Sequence, residues 1–282
     1  MEPSFVKPAR RKYLVGSKLL VKEVMTPDPL TIEEDDLATK ARSLFRRYDY
    51  RSLPVVSRDG ELTGIITRRD ILNISSARSN ILVSGLMSTP LVITTGNEDL
   101  RVLAEKLISA DVSMSPVLQD TGGKKIIGLV SVHDIIKGFL ESGARPTKKF
   151  VKEIMSRDVT SCSPNEEISR IWKMMERTGY SGIPVVEGKR ILGVITRGDI
   201  IKSGFARLEL EDEKSSSKRS PLVEKVMHTP AITVSPDTEI IDATKTLLSK
   251  RIGRLPVIKK IGKSAVELVG IIDRTDILKA FI

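Results

Sequence analysis

The sequence predicts an α/β fold made of four tandem copies of one small domain, and three observations predict it. A methionine recurs at Met25, Met87, Met155 and Met227, and 29 residues after each stands a proline: Pro54, Pro116, Pro184 and Pro256. In every copy a glycine then stands six residues before an aspartate: Gly64 and Asp70, Gly128 and Asp134, Gly193 and Asp199, Gly270 and Asp276. Between these marks, short apolar runs alternate with stripes at three- and four-residue spacing, the periods of strand and helix. A spacing kept four times over marks an internal repeat. The periods are 62, 68 and 72 residues, so each copy is a small domain. A domain of that size buries too little surface to be comfortable alone, and the copies are expected to pair.

The elements follow in the same order in each copy. A short strand is expected after the methionine, at 30–32, 91–93, 159–160 and 231–234. Ten residues after each methionine stand Asp35, Asn97, Asn165 and Asp237, residue types that start helices. The helix that follows carries an apolar stripe: Ala38, Ala41 and Phe45 in copy one, Leu100, Leu103 and Leu107 in copy two. Copies three and four repeat it with Ile168, Ile171 and Met175, then Ile240, Ala243 and Leu247. Such a stripe is core. A strand opened by the proline comes next, at 53–56, 115–118, 183–186 and 255–258. Proline is tolerated where no ladder donor is needed. Asp59-Gly60 and Glu187-Gly188 read as hairpin turns. A strand begins at the glycine and a second helix at the aspartate. Proline-to-glycine distances of 10, 12, 9 and 14 confine length variation to the hairpin, a surface turn. Each copy therefore reads β-α-β-β-α.

The expected division is a basic tail at 1–20, copies at 21–80, 81–141, 150–206 and 221–282, and a Ser-rich polar linker at 207–220. A Gly- and Pro-containing linker is expected at 141–149. The chain has 282 residues, 40% hydrophobic and 29% charged, which suits a soluble globular protein. No apolar run approaches the roughly 20 residues of a membrane span, and no signal peptide is recognisable, so a cytoplasmic location is expected. Cys162 is the sole cysteine and reads as a small buried thiol. With His133 and His228 the only histidines, neither a zinc site nor a nucleophilic triad is expected. The net charge is +10, and residues 1–22 hold Lys7, Arg10, Arg11, Lys12, Lys18 and Lys22 against Glu2. This stretch is either a solvated tail or a contact for nucleic acid. At 4% aromatic residues, stacking platforms for single strands are scarce.

The pattern resembles the CBS domain. The matching residues are the starts Val24-Met25-Thr26, Leu86-Met87-Ser88, Ile154-Met155-Ser156 and Val226-Met227-His228, the Pro-Val strand, and a closing Gly-x-x-Thr/Ser-x-x-Asp. The resemblance covers the chain from about Val21 onward. It implies that copies one and two pair into one module, that three and four pair into another, and that the modules stack as a flat disc. In architecture the chain is similar to the gamma subunit of AMP-activated protein kinase. The resemblance also implies adenosine compounds in the clefts between paired domains, with AMP, ADP, ATP and S-adenosylmethionine all open.

The closing motif has its own chemistry. A carboxylate accepts hydrogen bonds from both ribose hydroxyls, which nominates Asp70, Asp134, Asp199 and Asp276. Thr67, Ser131 and Thr196 are candidate phosphate donors at a strand-to-helix junction. Arg68, Arg69, Arg197 and Arg274 add charge there. The same Thr-x-x-Asp is also a helix capping box, and that reading stands beside the ligand reading. Copy four has Asp273 where the hydroxyl belongs, and a carboxylate repels phosphate. Copies one and three are thus expected to give the best phosphate-bearing sites. Copy two is expected to be weaker, and copy four empty or filled by an uncharged adenosine moiety. By resemblance the base lies near Thr31 and Ser52 in copy one, and near Ser161, Ser181 and Gly182 in copy three. Tyr50 and Tyr180 are near in sequence and are candidates to stack on it. The expected function is a non-enzymatic sensor of adenine nucleotides acting on a protein partner in trans, as a monomeric disc or a homodimer, with no cofactor beyond the ligand itself. The alternatives are a protein that binds nucleic acid through its basic arm, and a sensor of S-adenosylmethionine.

Overall fold

The computed structural model describes residues 18–48, 50–72, 80–120, 122–203, 220–261 and 265–282. Most of the basic tail and nearly all of the 207–220 linker lie outside the described residues. Copy one holds α1 (Val21–Val24), β1 (Thr26–Pro27), β2 (Ile32–Glu33), α2 (Ala38–Tyr48), β3 (Ser52–Val56), β4 (Leu62–Thr67) and α3 (Arg68–Leu72). Copy two opens on a one-turn helix at Val83–Gly85 and continues with β5 (Thr94–Thr95), α4 (Leu100–Ser109), β6 (Met114–Leu118), β7 (Ile126–Ser131) and α5 (Val132–Glu141). Copy three has its one-turn helix at Val151–Glu153, then α6 (Ile168–Thr178), β8 (Gly182–Glu187), β9 (Arg190–Thr196) and α7 (Arg197–Lys202). Copy four has Val223–Lys225, α8 (Ile240–Ser249), β10 (Arg254–Ile261), β11 (Ala265–Asp273) and α9 (Arg274–Phe281).

The apolar stripes are buried as their spacing requires, with Ala41, Leu103, Ile171 and Ala243 wholly covered. The proline strand pairs antiparallel with the glycine strand in every copy, and each ladder carries one bulge at the equivalent place. Two expectations are corrected. The helices do not start at Asp35, Asn97, Asn165 or Asp237; they start at residues 38, 100, 168 and 240. The expected starters lie in a tight turn closed by Asp36 N on Glu33 O, and by its counterparts Glu98 N on Thr95 O, Glu166 N on Ser163 O and Thr238 N on Ser235 O. The strand after the methionine falls at the end of the expected range in copies one and four and just beyond it in copies two and three. The residues that pair in parallel with the proline strand are Ile32, Thr94, Cys162 and Val234.

What directly follows each methionine pairs with the other copy of its module. Thr26 lies opposite Leu129, Ser88 opposite Ile65, Ser156 opposite Ile271, and His228 opposite Val194. Each methionine side chain fills the space above the partner's glycine. A Cβ on Gly64 would come within 2.6 Å of Met87 Sδ, one on Gly128 within 2.6 Å of Met25 Sδ, and one on Gly270 within 2.7 Å of Met155 Sδ. Gly193 is closed by Met227 and by the His228 carbonyl. The methionine and glycine that mark the repeat are thus two halves of one reciprocal contact, which joins copy one to two and copy three to four. Small domains complete their burial in this way.

The two modules meet along two unlike seams. Copies two and four share one continuous core, in which Phe139 of α5 stacks on Phe281 of α9 at 6.0 Å. Arg101 caps that stack, lying 5.5 Å over Phe139 and donating to the Phe281 carbonyl at 3.1 Å. Such a stack contributes about 0.5–1.5 kcal/mol beyond burial. Copies one and three keep separate cores. They touch through polar groups: Arg69 donates to the Glu176 carbonyl at 3.4 Å, and the Arg68 guanidinium lies against Gly198. The 141–149 stretch is strapped to copy four, with Thr147 N donating to Ala280 O at 2.7 Å and Ile240 N donating to Lys149 O at 2.9 Å. No helix among the described residues is long and apolar enough to cross a membrane.

Candidate functional site

Each closing motif sits where a sheet strand turns into a helix. The strand-start residue lies opposite the first residue of the closing motif in the ladder: Ser52 opposite Thr67, Met114 opposite Ser131, Gly182 opposite Thr196, Arg254 opposite Asp273. The aspartate three residues on therefore shares one corner with both.

All four aspartates close a capping box. Asp70 Oδ2 accepts from Thr67 N and from Thr67 Oγ1, both at 2.7 Å. Asp134 Oδ2 accepts from Ser131 N at 2.9 Å and from its hydroxyl at 2.6 Å. Asp199 Oδ2 accepts from Thr196 N at 2.8 Å and Oγ1 at 2.6 Å. Asp276 Oδ2 accepts from Asp273 N at 2.9 Å, while Asp273 Oδ1 accepts from Thr275 N and Asp276 N at 2.7 and 3.2 Å. One oxygen of each aspartate is committed to the cap, and the hydroxyls of Thr67, Ser131 and Thr196 spend their only proton on it. Toward a phosphate those hydroxyls are left as acceptors, and donation falls to the arginines and to backbone N–H groups.

The second oxygen, Oδ1, differs among copies. On Asp70, Asp134 and Asp276 it has no hydrogen-bond partner among the described residues. On Asp199 it is held by His228 Nε2 at 2.7 Å. Asp276 is set apart in another way: burial, and then the Asp273 carboxylate, push its carboxyl up to about 6. A like charge beside it disfavours ionisation.

Arginines gather where the copies meet. Arg274 of copy four is held down to about 10, first by burial and then by the neighbouring Arg51 of copy one. Arg274 Nε and His133 Nδ1 are buried without a hydrogen-bond partner among the described residues. Burial, and then Arg274, hold His133 below its ordinary range. Arg197 is turned inward: its Nε donates to the Tyr180 carbonyl at 3.2 Å and its terminal nitrogen to Met175 O. Burial, then Arg69, hold Arg197 below the usual guanidinium range.

The base candidates divide. Thr31 and Ser161 flank the short parallel strands and are half-buried. Ser52 is buried with its hydroxyl on Met114 Sδ across the module. In copy three the nominated strip is held by Arg254 of copy four. Its guanidinium donates to Ser181 Oγ at 2.8 Å and to the Gly182 carbonyl. A Cβ at Gly182 would lie 3.2 Å from Arg254 Nε, so glycine makes that crossing possible. Burial, offset in part by Asp273, holds Arg254 below its ordinary range. Tyr50 stacks on Tyr48 at 5.7 Å, and Tyr180 is exposed. The sequence reading missed His228 and Arg254. Each is the odd member of its repeat position, standing where the other copies have Thr26, Ser88, Ser156 or Ser52, Met114, Gly182.

No group of three or more metal-ligating side chains occurs among the described residues. Burial pushes the Cys162 thiol up to about 12, the state of an unreactive core residue.

Comparison with known proteins bears on the same repeat. The family model described as CBS domain matches residues 21–77, 83–141, 151–205 and 223–282. The chain is 30% identical over 268 residues to protein MJ1404 of Methanocaldococcus jannaschii, covering 92% of this chain and 61% of that one. It is 25% identical over 281 residues to MJ1225 of the same organism, covering 92% of this chain and 96% of that one. The crystal structure of MJ1225, described as a candidate archaeal homolog of g-AMPK, superposes with a TM-score of 0.80 at 22% identity, covering 94% of this chain and 100% of that one. The chain thus spans less than two thirds of MJ1404 and nearly all of MJ1225.

Proposed function

The chain belongs to the CBS domain family, and from that premise we propose that it is a non-catalytic regulatory protein that takes adenine nucleotides at the strand-to-helix corners of its paired domains and acts on a protein partner in trans. The observation that carries this reading is the half-used carboxylate. The cap uses one oxygen of Asp70, and the other has no hydrogen-bond partner among the described residues, on a half-buried side chain that directly follows Arg68 and Arg69 in the chain. A cap alone is served by one oxygen. A ribose diol uses the second, and the arginines beside it suit a phosphate.

The part-buried Arg197 beside Arg69, and the buried Arg274 beside Arg51, support an anionic ligand over a neutral one. A desolvated guanidinium with a second cation beside it gains from a nearby anion. Among the described residues, copies one and two have an Oδ1 without a hydrogen-bond partner and a hydroxyl residue at the cap. Copy four places two carboxylates there, which favours a ligand without phosphate. The cytoplasm is the compartment that fits an adenine-nucleotide sensor.

A second reading, binding of a polyanion such as nucleic acid, is favoured by one surface. A shallow recess on α2 is lined by Thr39, Arg42, Ser43, Arg46 and Arg47. Arg42 and Arg46 have no carboxylate partner among the described residues. The basic tail nominated for the same role lies outside the described residues.

Calorimetric titration with AMP, ATP and S-adenosylmethionine tests the first reading. Saturable binding of at least one, reduced in stoichiometry by Asp70→Ala, is the expected result. No heat with any of the three, together with salt-dependent binding of DNA or RNA, would replace it with the second.

A further inference from the structure

The residue after each repeated methionine is Thr26, Ser88, Ser156 or His228, and its backbone lies on the partner copy's glycine strand. His228 is fixed there by a pair of hydrogen bonds: its N–H donates to Val194 O at 2.9 Å and its carbonyl accepts from Val194 N at 3.0 Å. Gly193 makes that approach possible, because a Cβ there would strike the His228 carbonyl. From this point a serine or threonine is too short to reach the aspartate of the facing copy. The imidazole spans the gap, and Nε2 meets Asp199 Oδ1 at 2.7 Å.

We propose that His228, supplied by copy four, is a latch on the ribose carboxylate of copy three and makes that site fill only after copy one. This rests on the adenine-nucleotide reading of the corner. The two partners differ in burial: the Asp199 side chain is 8% exposed and the His228 side chain 76%. Water reaches Asp199 poorly, so its second oxygen relies on the imidazole. The imidazole has solvent on its outer side and can swing out without losing core packing. A ligand diol entering copy three must displace that hydrogen bond, whereas the second oxygen of Asp70 has no hydrogen-bond partner among the described residues. A hydrogen bond to a charged group is worth enough to weaken copy three roughly tenfold to a hundredfold relative to an unlatched site. Filling copy three releases a side chain of copy four, so occupancy of one domain is felt directly by its neighbour. Two corners with the same Thr-x-x-Asp sequence would then answer to two concentration ranges.

The test is AMP titration of the Asp70→Ala, Asp134→Ala variant with and without His228→Ser, serine being the residue at positions 88 and 156. The latch predicts that His228→Ser tightens AMP binding roughly tenfold or more and that adding Asp199→Ala abolishes binding in either background. Unchanged affinity on His228→Ser, with AMP still bound by copy one of the wild-type protein, overturns the latch and leaves the nucleotide reading standing. Absence of AMP binding to the wild-type protein and to every variant overturns both.

Discussion

Copies one and three carry the same letters at the closing motif, Thr-Arg-x-Asp, and the same capping box to within about a tenth of an ångström. They differ in what the neighbouring copy brings to the corner. Copy two sets Ser88 and Met114 against copy one, while copy four sets His228 and Arg254 against copy three. Among the described residues, nothing holds the second carboxylate oxygen of copy one. Copy three has that oxygen bound by an imidazole and its strand start bound by a guanidinium. In a paired repeat, a site belongs to two copies, and its character is written as much in the partner as in the motif.

The contrast can be broken in several places. The largest effect is expected from Asp70→Ala, which removes the charged acceptor of copy one and should weaken its AMP site by about 3 kcal/mol, over a hundredfold. The same change removes half of a capping box, costing about 1 kcal/mol of stability, which a parallel thermal melt would detect. Next come the pairing glycines. Gly193→Ala drives a methyl into the His228 backbone and should cost about 2–3 kcal/mol, whereas Gly64→Ala meets only the flexible Met87 side chain and should cost about 1 kcal/mol. Urea denaturation of the two variants compares the module interfaces directly; equal losses would mean that the His228 backbone is not held as tightly as its two hydrogen bonds imply.

Smaller still is the effect of the copy-four carboxylate pair. The Asp276 carboxyl lies at about 6, raised by burial and by Asp273. The folded protein then binds a proton more readily than the unfolded chain between the ordinary carboxylate range and pH 6. That contribution to stability is present in full below the ordinary range and is lost as pH rises through about 6. Asp273→Thr, which restores the hydroxyl found in copies one and three, removes the second cause. The Asp276 titration followed by carbon-detected NMR should then move down. No movement would leave burial as the sole cause.

Much of the fold was legible in the residues. The stripes at Ala41, Leu103, Ile171 and Ala243 gave the first helices, and the proline and glycine gave the hairpins, because periodicity and turn chemistry are local. The helix starts were placed too early because Asp35 and its counterparts are as good in a turn as at a cap, and the ladder used the intervening residues for a hydrogen-bonded turn. The meaning of the methionine and glycine was not legible, since the contact runs between different copies, from 23 residues apart in sequence (Met87 to Gly64) to 115 (Met155 to Gly270). For the site, the four aspartates and their hydroxyl partners were readable as a corner. His228 and Arg254 were not, because they act across the module. Their signal was present as a departure from the repeat: a long polar side chain where the other copies hold mostly short ones.

The most direct test of the account follows the His228 imidazole through a titration with AMP. The protein has two histidines, so its ring signals are readily assigned by comparison with His228→Ser. The account predicts that the His228 signal stays in place while copy one fills and moves only in a later step, a step that Asp199→Ala removes. Movement of His228 together with the first binding step, or binding at copy three with no movement at all, would contradict it.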